Sequence, residues 1–208
     1  MIKINKIVKY LILADIAFWT GWGLITPVFA IFIVEKIQGG SALVVGIATA
    51  IYWILRALLI FPIGTLLDKY DGDRDDYLFL VTGNFVSALV LFGYIFAIYP
   101  WHVYMLQLFY GLGMAMSIAG WRSIFTKKID KGKEATEWAL DDMFISLGCG
   151  IAGLVSGWIV TIIGFNQSFL VAGFFGILST LALLGLRKEI SGVFNRGFHA
   201  NIRDIFKR

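Results

Sequence analysis

Six long apolar stretches follow one another along the chain, and most charged residues lie in the short segments between them. A helix of about 20 apolar residues crosses the hydrocarbon layer of a bilayer, which is about 30 Å thick. The strands of a membrane β-barrel are shorter and alternate apolar with polar residues, a pattern that these stretches lack. We therefore predict six transmembrane helices, over residues 10–34, 42–67, 77–99, 102–125, 138–163 and 166–186.

The overall composition agrees with this pattern. Of the 208 residues, 59% are hydrophobic and 15% are charged, and the mean hydropathy is +0.80. Soluble domains are about 45–50% apolar and about 25% charged. The net charge of +4 is not gathered into a basic groove, so no nucleic acid is expected as a partner. The predicted fold class is an all-α integral membrane protein surrounded by the lipid bilayer.

Residues that hold metals or carry out catalysis are scarce. The chain has one cysteine, Cys149, and two histidines, His102 and His199, which excludes a disulfide scaffold and a Cys- or His-based metal site. No nucleophile with an adjacent base and no phosphate-binding loop is visible. The sequence therefore predicts no cofactor, no metal and no enzymatic activity.

The basic residues give the orientation in the membrane. Only Lys36 lies in a segment on the opposite side, and only Arg56 lies inside a span. Basic residues collect on the cytoplasmic side of membrane proteins, so we predict that both termini lie in the cytoplasm and that the host is the cell membrane. The other 16 of the 18 basic residues lie on the predicted cytoplasmic side: Lys3, Lys6, Lys9, Lys69, Arg74, Arg122, Lys127, Lys128, Lys131, Lys133, Arg187, Lys188, Arg196, Arg203, Lys207 and Arg208.

The chain divides into two regions. Residues 1–186 form the predicted six-helix transmembrane domain, and residues 187–208 form a basic cytoplasmic tail. Apolar residues recur in the tail at near-helical spacing among basic ones, which is typical of an interfacial helix on the inner leaflet. Gly192 and Gly197 disfavour a helix, so a partly ordered tail is the alternative.

Charged residues inside a span are informative, because burying a charge in a bilayer is unfavourable. Arg56 lies near the middle of the second span, too deep to reach either surface comfortably, so it must face protein, water or a ligand. Asp15 lies in the inner third of the first span and is the candidate for proton coupling. Asp141 and Asp142 lie in the predicted first turn of the fifth span, where the helix dipole alone stabilises a carboxylate.

Polar and aromatic residues recur at helical spacing on one face of each of the first, second and fourth spans. Three such faces predict a hydrated cavity rather than three lipid-facing surfaces. Ordinary packing explains the aromatic residues alone, whereas no packing role explains a guanidinium at the depth of Arg56. The candidate cavity residues for a small-molecule substrate are Arg56, Trp19, Trp22, Thr26, Tyr52, Gln107, Tyr110 and Met114.

Several motifs resemble the major facilitator superfamily, specifically one six-helix half of it. The segment Gly64-Thr65-Leu66-Leu67-Asp68-Lys69 resembles the family's motif after the second helix, and Gly111-Leu112-Gly113 fits its fourth helix. The glycine-rich segment 148–157 is similar to the antiporter-type motif of the fifth helix, with Gly153 in place of a proline. The resemblance covers about residues 10–186.

This resemblance implies a secondary transporter of a small solute, with a substrate site between two six-helix halves. The residues leave two substrate classes open: Arg56 favours an organic anion, and Trp19 and Trp22 favour a sugar. One half would then work as a parallel homodimer, in which the second helix of one copy packs against the fifth helix of the other. Alternatives are a half that pairs with a different six-helix chain, a non-transporting regulatory subunit, and a membrane enzyme or lipid-handling protein. Implied gating residues are Gly64, Asp68, Lys69, Arg74, Arg122, Asp141 and Asp142, and implied dimer-interface residues are Gly148, Ala152, Gly153 and Gly157.

Overall fold

The computed structural model describes residues 4–69, 73–187 and 189–190, and all regular structure in these ranges is helical. Six of the helices are long and apolar enough to cross a membrane, which confirms the predicted all-α, six-span fold class. The predicted tail lies outside the described residues except for 187, 189 and 190. The helices are α1 (Lys6–Ile25), α2 (Phe29–Lys36), α3 (Ala42–Leu67), α4 (Arg74–Gly93), α5 (Pro100–Lys128), α6 (Glu134–Ile163) and α7 (Phe165–Gly185), and a 3-10 turn (Tyr94–Phe96) extends α4.

The first predicted span is not one continuous helix. It begins at Lys6, where the Asn5 side chain accepts a hydrogen bond from the Ile7 backbone N–H at 2.9 Å and caps the helix. It ends at Ile25, and the chain turns before α2 begins at Phe29. Pro27 lies in this turn and has no N–H with which to continue the hydrogen-bond ladder. The helix predicted over 10–34 is therefore divided into α1 and the short α2.

The long helices pack in a definite order. Helix α5 packs against α3 and α4, helix α7 packs against α4 and α1, and α6 packs mainly against α1. The helices α3 and α6 thus occupy the two ends of this order. Only 17% of the most apolar stretch of α3 and 11% of that of α6 is buried, against 44–50% in the other four spans. These two helices keep the largest unpartnered faces.

The beginning and the end of the described chain meet at one end of the bundle. The Asn5 amide donates to the Lys128 carbonyl oxygen at 3.1 Å, and Lys6 Nζ lies 2.6 Å from Glu189 Oε1. Six spans return the chain to the side from which it started, so α1, α4 and α6 begin here and α3, α5 and α7 end here. We call this the basic end; its cytoplasmic location stays a prediction.

Glycines allow α4 to approach its neighbours closely. A Cβ atom on Gly83 would lie 2.5 Å from the Gly113 carbonyl oxygen on α5, and one on Gly176 of α7 would lie 2.7 Å from Ala88 Cβ on α4. Small residues commonly allow such approach between membrane helices. The contacts of α4 with α5 and α7 form a tightly packed side of the bundle, against which α1 and α3 are positioned.

Candidate functional site

Three aromatic rings from three different helices form a stack inside the bundle. The rings of Trp22 on α1 and Tyr110 on α5 are nearly parallel, with centroids 4.9 Å apart. Tyr52 on α3 lies 5.2 Å from Tyr110 and 6.4 Å from Trp22. These distances are typical of favourable aromatic contacts. The predicted faces of the first, second and fourth spans therefore do converge, and we call these three residues the aromatic stack.

Arg56 lies one helical turn from the aromatic stack. Its guanidinium carbon is 4.9 Å from the centre of the Trp53 ring and 6.0 Å from that of Tyr52, and Nη1 donates a long hydrogen bond of 3.5 Å to the Tyr52 hydroxyl. Among the described residues, every ion pair involves other side chains, so Arg56 has no carboxylate partner there. A guanidinium has five N–H donors, and most of these remain available to an anionic ligand.

Gln107 lies almost one turn before Tyr110 on α5. Its side chain is only 4% exposed, yet its Oε1 atom has no hydrogen-bond partner. Most buried polar atoms in proteins are paired, so an unpaired acceptor beside an aromatic stack is consistent with a place for a ligand group. Met114, one turn further along α5, is buried and belongs to the hydrophobic core around the stack.

Two predicted cavity residues lie away from the aromatic stack. Trp19 packs edge-on against Phe18, with ring centroids 5.9 Å apart, and its indole lies beside the Asp15 carboxyl. Thr26 is exposed in the turn after α1, and its hydroxyl donates to the Trp22 carbonyl oxygen at 2.9 Å. Helical spacing predicted that both residues lie on the same face of the helix as Trp22. Instead, α1 ends at Ile25, before Thr26, and the Trp19 indole contacts the Asp15 carboxyl, so neither residue joins the aromatic stack.

The acidic residues Asp141 and Asp142 lie deeper in α6 than the sequence indicated. Helix α6 begins at Glu134, so Asp141 lies about two turns inside it rather than in the first turn. Asp141 is 4% exposed, and its Oδ1 atom has no partner, whereas Asp142 is exposed. The helix dipole acts within the first turn and therefore does not explain Asp141.

The loop motif after α3 lies at the basic end. Gly64 and Asp68, together with Arg122 on α5, line a cavity of about 380 Å³ between the ends of α3 and α5. Lys69 is exposed directly after α3, and Arg74 is the first residue of α4. The structure thus brings Gly64, Asp68 and Arg122 together and places Lys69 and Arg74 at the same end, whereas the other two implied gating residues, Asp141 and Asp142, lie within α6.

A buried ion pair joins α4 to α5 at the basic end, and sequence analysis missed it. Asp76 is fully buried, and its Oδ2 atom accepts from Lys127 Nζ at 2.6 Å and from Ser123 Oγ at 2.8 Å. Asp73 and Lys128 form a second pair at 2.5 Å. Two features of the sequence could have predicted this pair: acidic residues at the start of α4 and lysines at the end of α5. Consecutive antiparallel helices bring these two ends together.

Most of the predicted dimer-interface residues pack within the chain. A Cβ atom on Gly148 would lie 2.5 Å from Thr20 Oγ1 on α1, and Ala152, which is 2% exposed, lies against Gly23 on α1. Gly153 also faces α1, near Pro27, whereas Gly157 borders open space. Small residues indicate a close helix contact without indicating which helix makes it. The structure assigns Gly148 and Ala152 to the contact between α6 and α1.

Comparison with known proteins supports one family. Residues 11–208 match the family model described as Major Facilitator Superfamily. Comparison with curated proteins finds no match to the chain. The family match covers far more than half of the sequence, and six apolar helices fit a half-size domain of this family.

Proposed function

Because the chain belongs to the major facilitator superfamily, whose members are transporters, we propose that it carries a small solute across the membrane at the aromatic stack. The observation that carries this proposal is the group of unsatisfied polar atoms beside the stack. Arg56 has free donors and no carboxylate partner within the described residues, and Gln107 presents a buried, free acceptor. A ligand with complementary groups would satisfy both residues.

We propose an organic anion as the first substrate class. A guanidinium inside a membrane span without a counter-ion among the described residues favours a ligand that brings the negative charge. The aromatic stack favours a sugar as the second candidate, because ring faces pack well against aromatic side chains. An anion that carries a ring or an apolar body would use both features.

We propose that the second half of the transporter is a parallel copy of the same chain. The least buried helices, α3 and α6, are the two that the family's architecture places at the contact between halves. Gly46 on α3 and Gly157 on α6 both border open space, so another helix could approach closely at either position. The motif residues Asp68 and Arg122 would then gate the contact at the basic end, which we place in the cytoplasm.

Transport by the purified chain tests the solute site. In liposomes that contain only this chain, we expect Arg56→Gln to lower organic-anion uptake at least about tenfold, because a hydrogen bond to a charged group contributes about 1.5–3 kcal/mol. Arg56→Lys should keep part of the uptake, because it keeps the charge but not the planar fork. Both variants should elute like the wild type in detergent. Full uptake by Arg56→Gln would exclude Arg56 from the site.

Disulfide crosslinking tests the homodimer. Gly46 lies four residues after α3 begins, Gly157 lies six residues before α6 ends, and both positions are at the end opposite the basic end. In a Cys149→Ser background, Gly46→Cys with Gly157→Cys should give a covalent dimer, and each single variant should stay monomeric on a denaturing gel. Absence of the dimer, together with transport that requires a second protein, would support the alternative of a different six-helix partner.

A further inference from the structure

Trp53 lies near the middle of the spanning helix α3, 11 residues after the helix begins at Ala42. Its side chain is 56% exposed, although the chain places it far from both ends of the helix. Tryptophan is enriched at the two interfaces of a membrane, where its N–H group meets polar headgroups. The middle of a span does not offer that environment. Anchoring at a membrane interface therefore does not explain Trp53.

The Trp53 ring contacts both the aromatic stack and Arg56. It packs edge-on against the Tyr52 ring, with centroids 5.1 Å apart and an interplanar angle of 70°. The Arg56 guanidinium carbon lies 4.9 Å from the centre of the Trp53 ring and 6.0 Å from the centre of the Tyr52 ring. A cation within about 6 Å of a ring centre is attracted by the negative face of the ring, and tryptophan attracts it most strongly. Trp53 thus provides the closer of the two rings that hold the guanidinium.

The other contacts of Arg56 hold its side chain only weakly. The hydrogen bond from Nη1 to the Tyr52 hydroxyl is long, at 3.5 Å, and no ion pair among the described residues includes Arg56. Long basic side chains on spanning helices extend towards a polar surface. A carboxylate partner would oppose this movement, but it would also occupy the N–H donors. An aromatic ring attracts the positive charge and occupies none of them.

We propose that Trp53 is a positioning residue, which holds the Arg56 guanidinium beside the aromatic stack and leaves its N–H donors available to an anionic ligand. The contribution of Trp53 to transport rests on the proposed function, whereas its hold on Arg56 does not. Helical spacing predicted the face that carries Tyr52 and Arg56, which are four residues apart. Trp53 is adjacent to Tyr52 in sequence and three residues before Arg56, so its side chain is a neighbour of Arg56 at the edge of that face.

Nuclear magnetic resonance of the full chain in lipid nanodiscs tests the position of the guanidinium without any transport assay. With isotope-labelled arginine, the Nε–H signal that disappears in Arg56→Lys belongs to Arg56. In the wild type, the ring current of the indole should shift this signal away from those of the other arginines. Trp53→Leu should move it back towards them, and Trp53→Phe should keep part of the shift. The matched control is Phe61→Leu, which removes a ring that is 76% exposed on the same helix and should leave the signal unchanged.

Uptake of benzoate, an anion that carries a ring, tests what this position contributes to the solute site. In liposomes, Trp53→Leu should raise the KM for benzoate about fivefold, because it removes a cation–π contact. The maximal rate per amount of folded protein should stay the same. In an Arg56→Gln background, Trp53→Leu should cause no further loss of the residual uptake, because Trp53 acts through Arg56. A role in packing alone would lower the amount of folded protein in both backgrounds.

The outcomes separate this inference from the proposed function. An Arg56 signal that lies among those of the other arginines in the wild type, or that is unchanged in Trp53→Leu, would overturn the positioning role. An equal loss of uptake with and without Arg56 would also overturn it. The wild-type signal and Trp53→Phe decide even if Trp53→Leu fails to fold. A shifted signal in a protein that takes up no organic anion would leave Trp53 as the residue that positions Arg56 and refute the proposed function.

Discussion

Two buried carboxamides in this bundle have opposite surroundings. Asn84 on α4 and Gln107 on α5 are each 4% exposed. The Asn84 amide donates to three groups on α7: the Gly176 carbonyl oxygen at 3.4 Å, Ser179 Oγ at 3.2 Å and Thr180 Oγ1 at 2.9 Å. The Gln107 Oε1 atom has no partner. The same chemical group thus holds two helices together at one place and is left unsatisfied at the other.

Two buried carboxylates differ in the charge beside them, although one oxygen of each has no partner. The other oxygen of Asp76 on α4 accepts from Lys127 and Ser123, whereas no ion pair among the described residues includes Asp141 on α6. In a bilayer an unpaired polar group is costly, so it persists where a ligand, a proton or water completes it. We call the contacts of α4 with α7 and with the basic end of α5 the structural side, and we propose that the unsatisfied groups of α1, α3, α5 and α6 form a functional side.

The largest stability effect is expected on the structural side. Lys127→Ala leaves the Asp76 carboxylate buried without its counter-ion, and we expect a loss of about 3 kcal/mol in the free energy of unfolding. This loss is at the low end of the range for breaking a buried ion pair, because the Lys127 side chain is 39% exposed. Chemical unfolding in detergent micelles measures it. Lys131→Ala, at an exposed position three residues after α5, is the control. If the two variants are equally stable, the pair of Asp76 and Lys127 does not stabilise the bundle.

A smaller loss is expected for the carboxamide of α4. Asn84→Leu removes the donor to α7, and hydrogen bonds between membrane helices contribute about 1 kcal/mol. Thr82→Val is the control on the same helix, because the Thr82 hydroxyl is exposed and bonds to its own helix at Leu78 O. Uptake of solute by Asn84→Leu should remain measurable after correction for the amount of folded protein. A loss of uptake without a loss of stability would place Asn84 on the functional side.

Hydropathy and helical spacing predicted the part of the structure that depends on single helices. Six spanning helices follow from apolar length, and the convergence of Trp22, Tyr52 and Tyr110 follows from the polar and aromatic faces. The family motifs indicated the order of the helices, and the family match confirms that resemblance. These features depend on residue composition and on the periodicity of polar and apolar residues, and both can be read directly from the sequence.

Features that depend on the register between helices could not be predicted in this way. Helical spacing did not show that Gly148 faces Thr20 or that Asp76 meets Lys127. The assignment of Asp141 to a first turn was wrong because polar residues before the apolar stretch extend α6 back to Glu134. A hydropathy profile locates only the apolar part of a helix. It therefore does not show where a helix begins when its first turns are polar and exposed to water.

The smallest stability effect is expected for the unsatisfied carboxamide. Gln107→Leu removes a buried acceptor that has no partner, and replacing such a group by an apolar side chain is neutral or stabilising, here by at most about 1 kcal/mol. The proposed solute loses one hydrogen bond, so uptake should fall about tenfold. Gln167→Leu, at an exposed position in the first turn of α7, is the control and should change neither quantity. Unfolding in detergent and uptake in liposomes, measured on the same preparation, give the two numbers. A marked loss of stability in Gln107→Leu would show that Gln107 belongs with Asn84 among the residues that hold the bundle together, and that the boundary between the two sides lies elsewhere on α5.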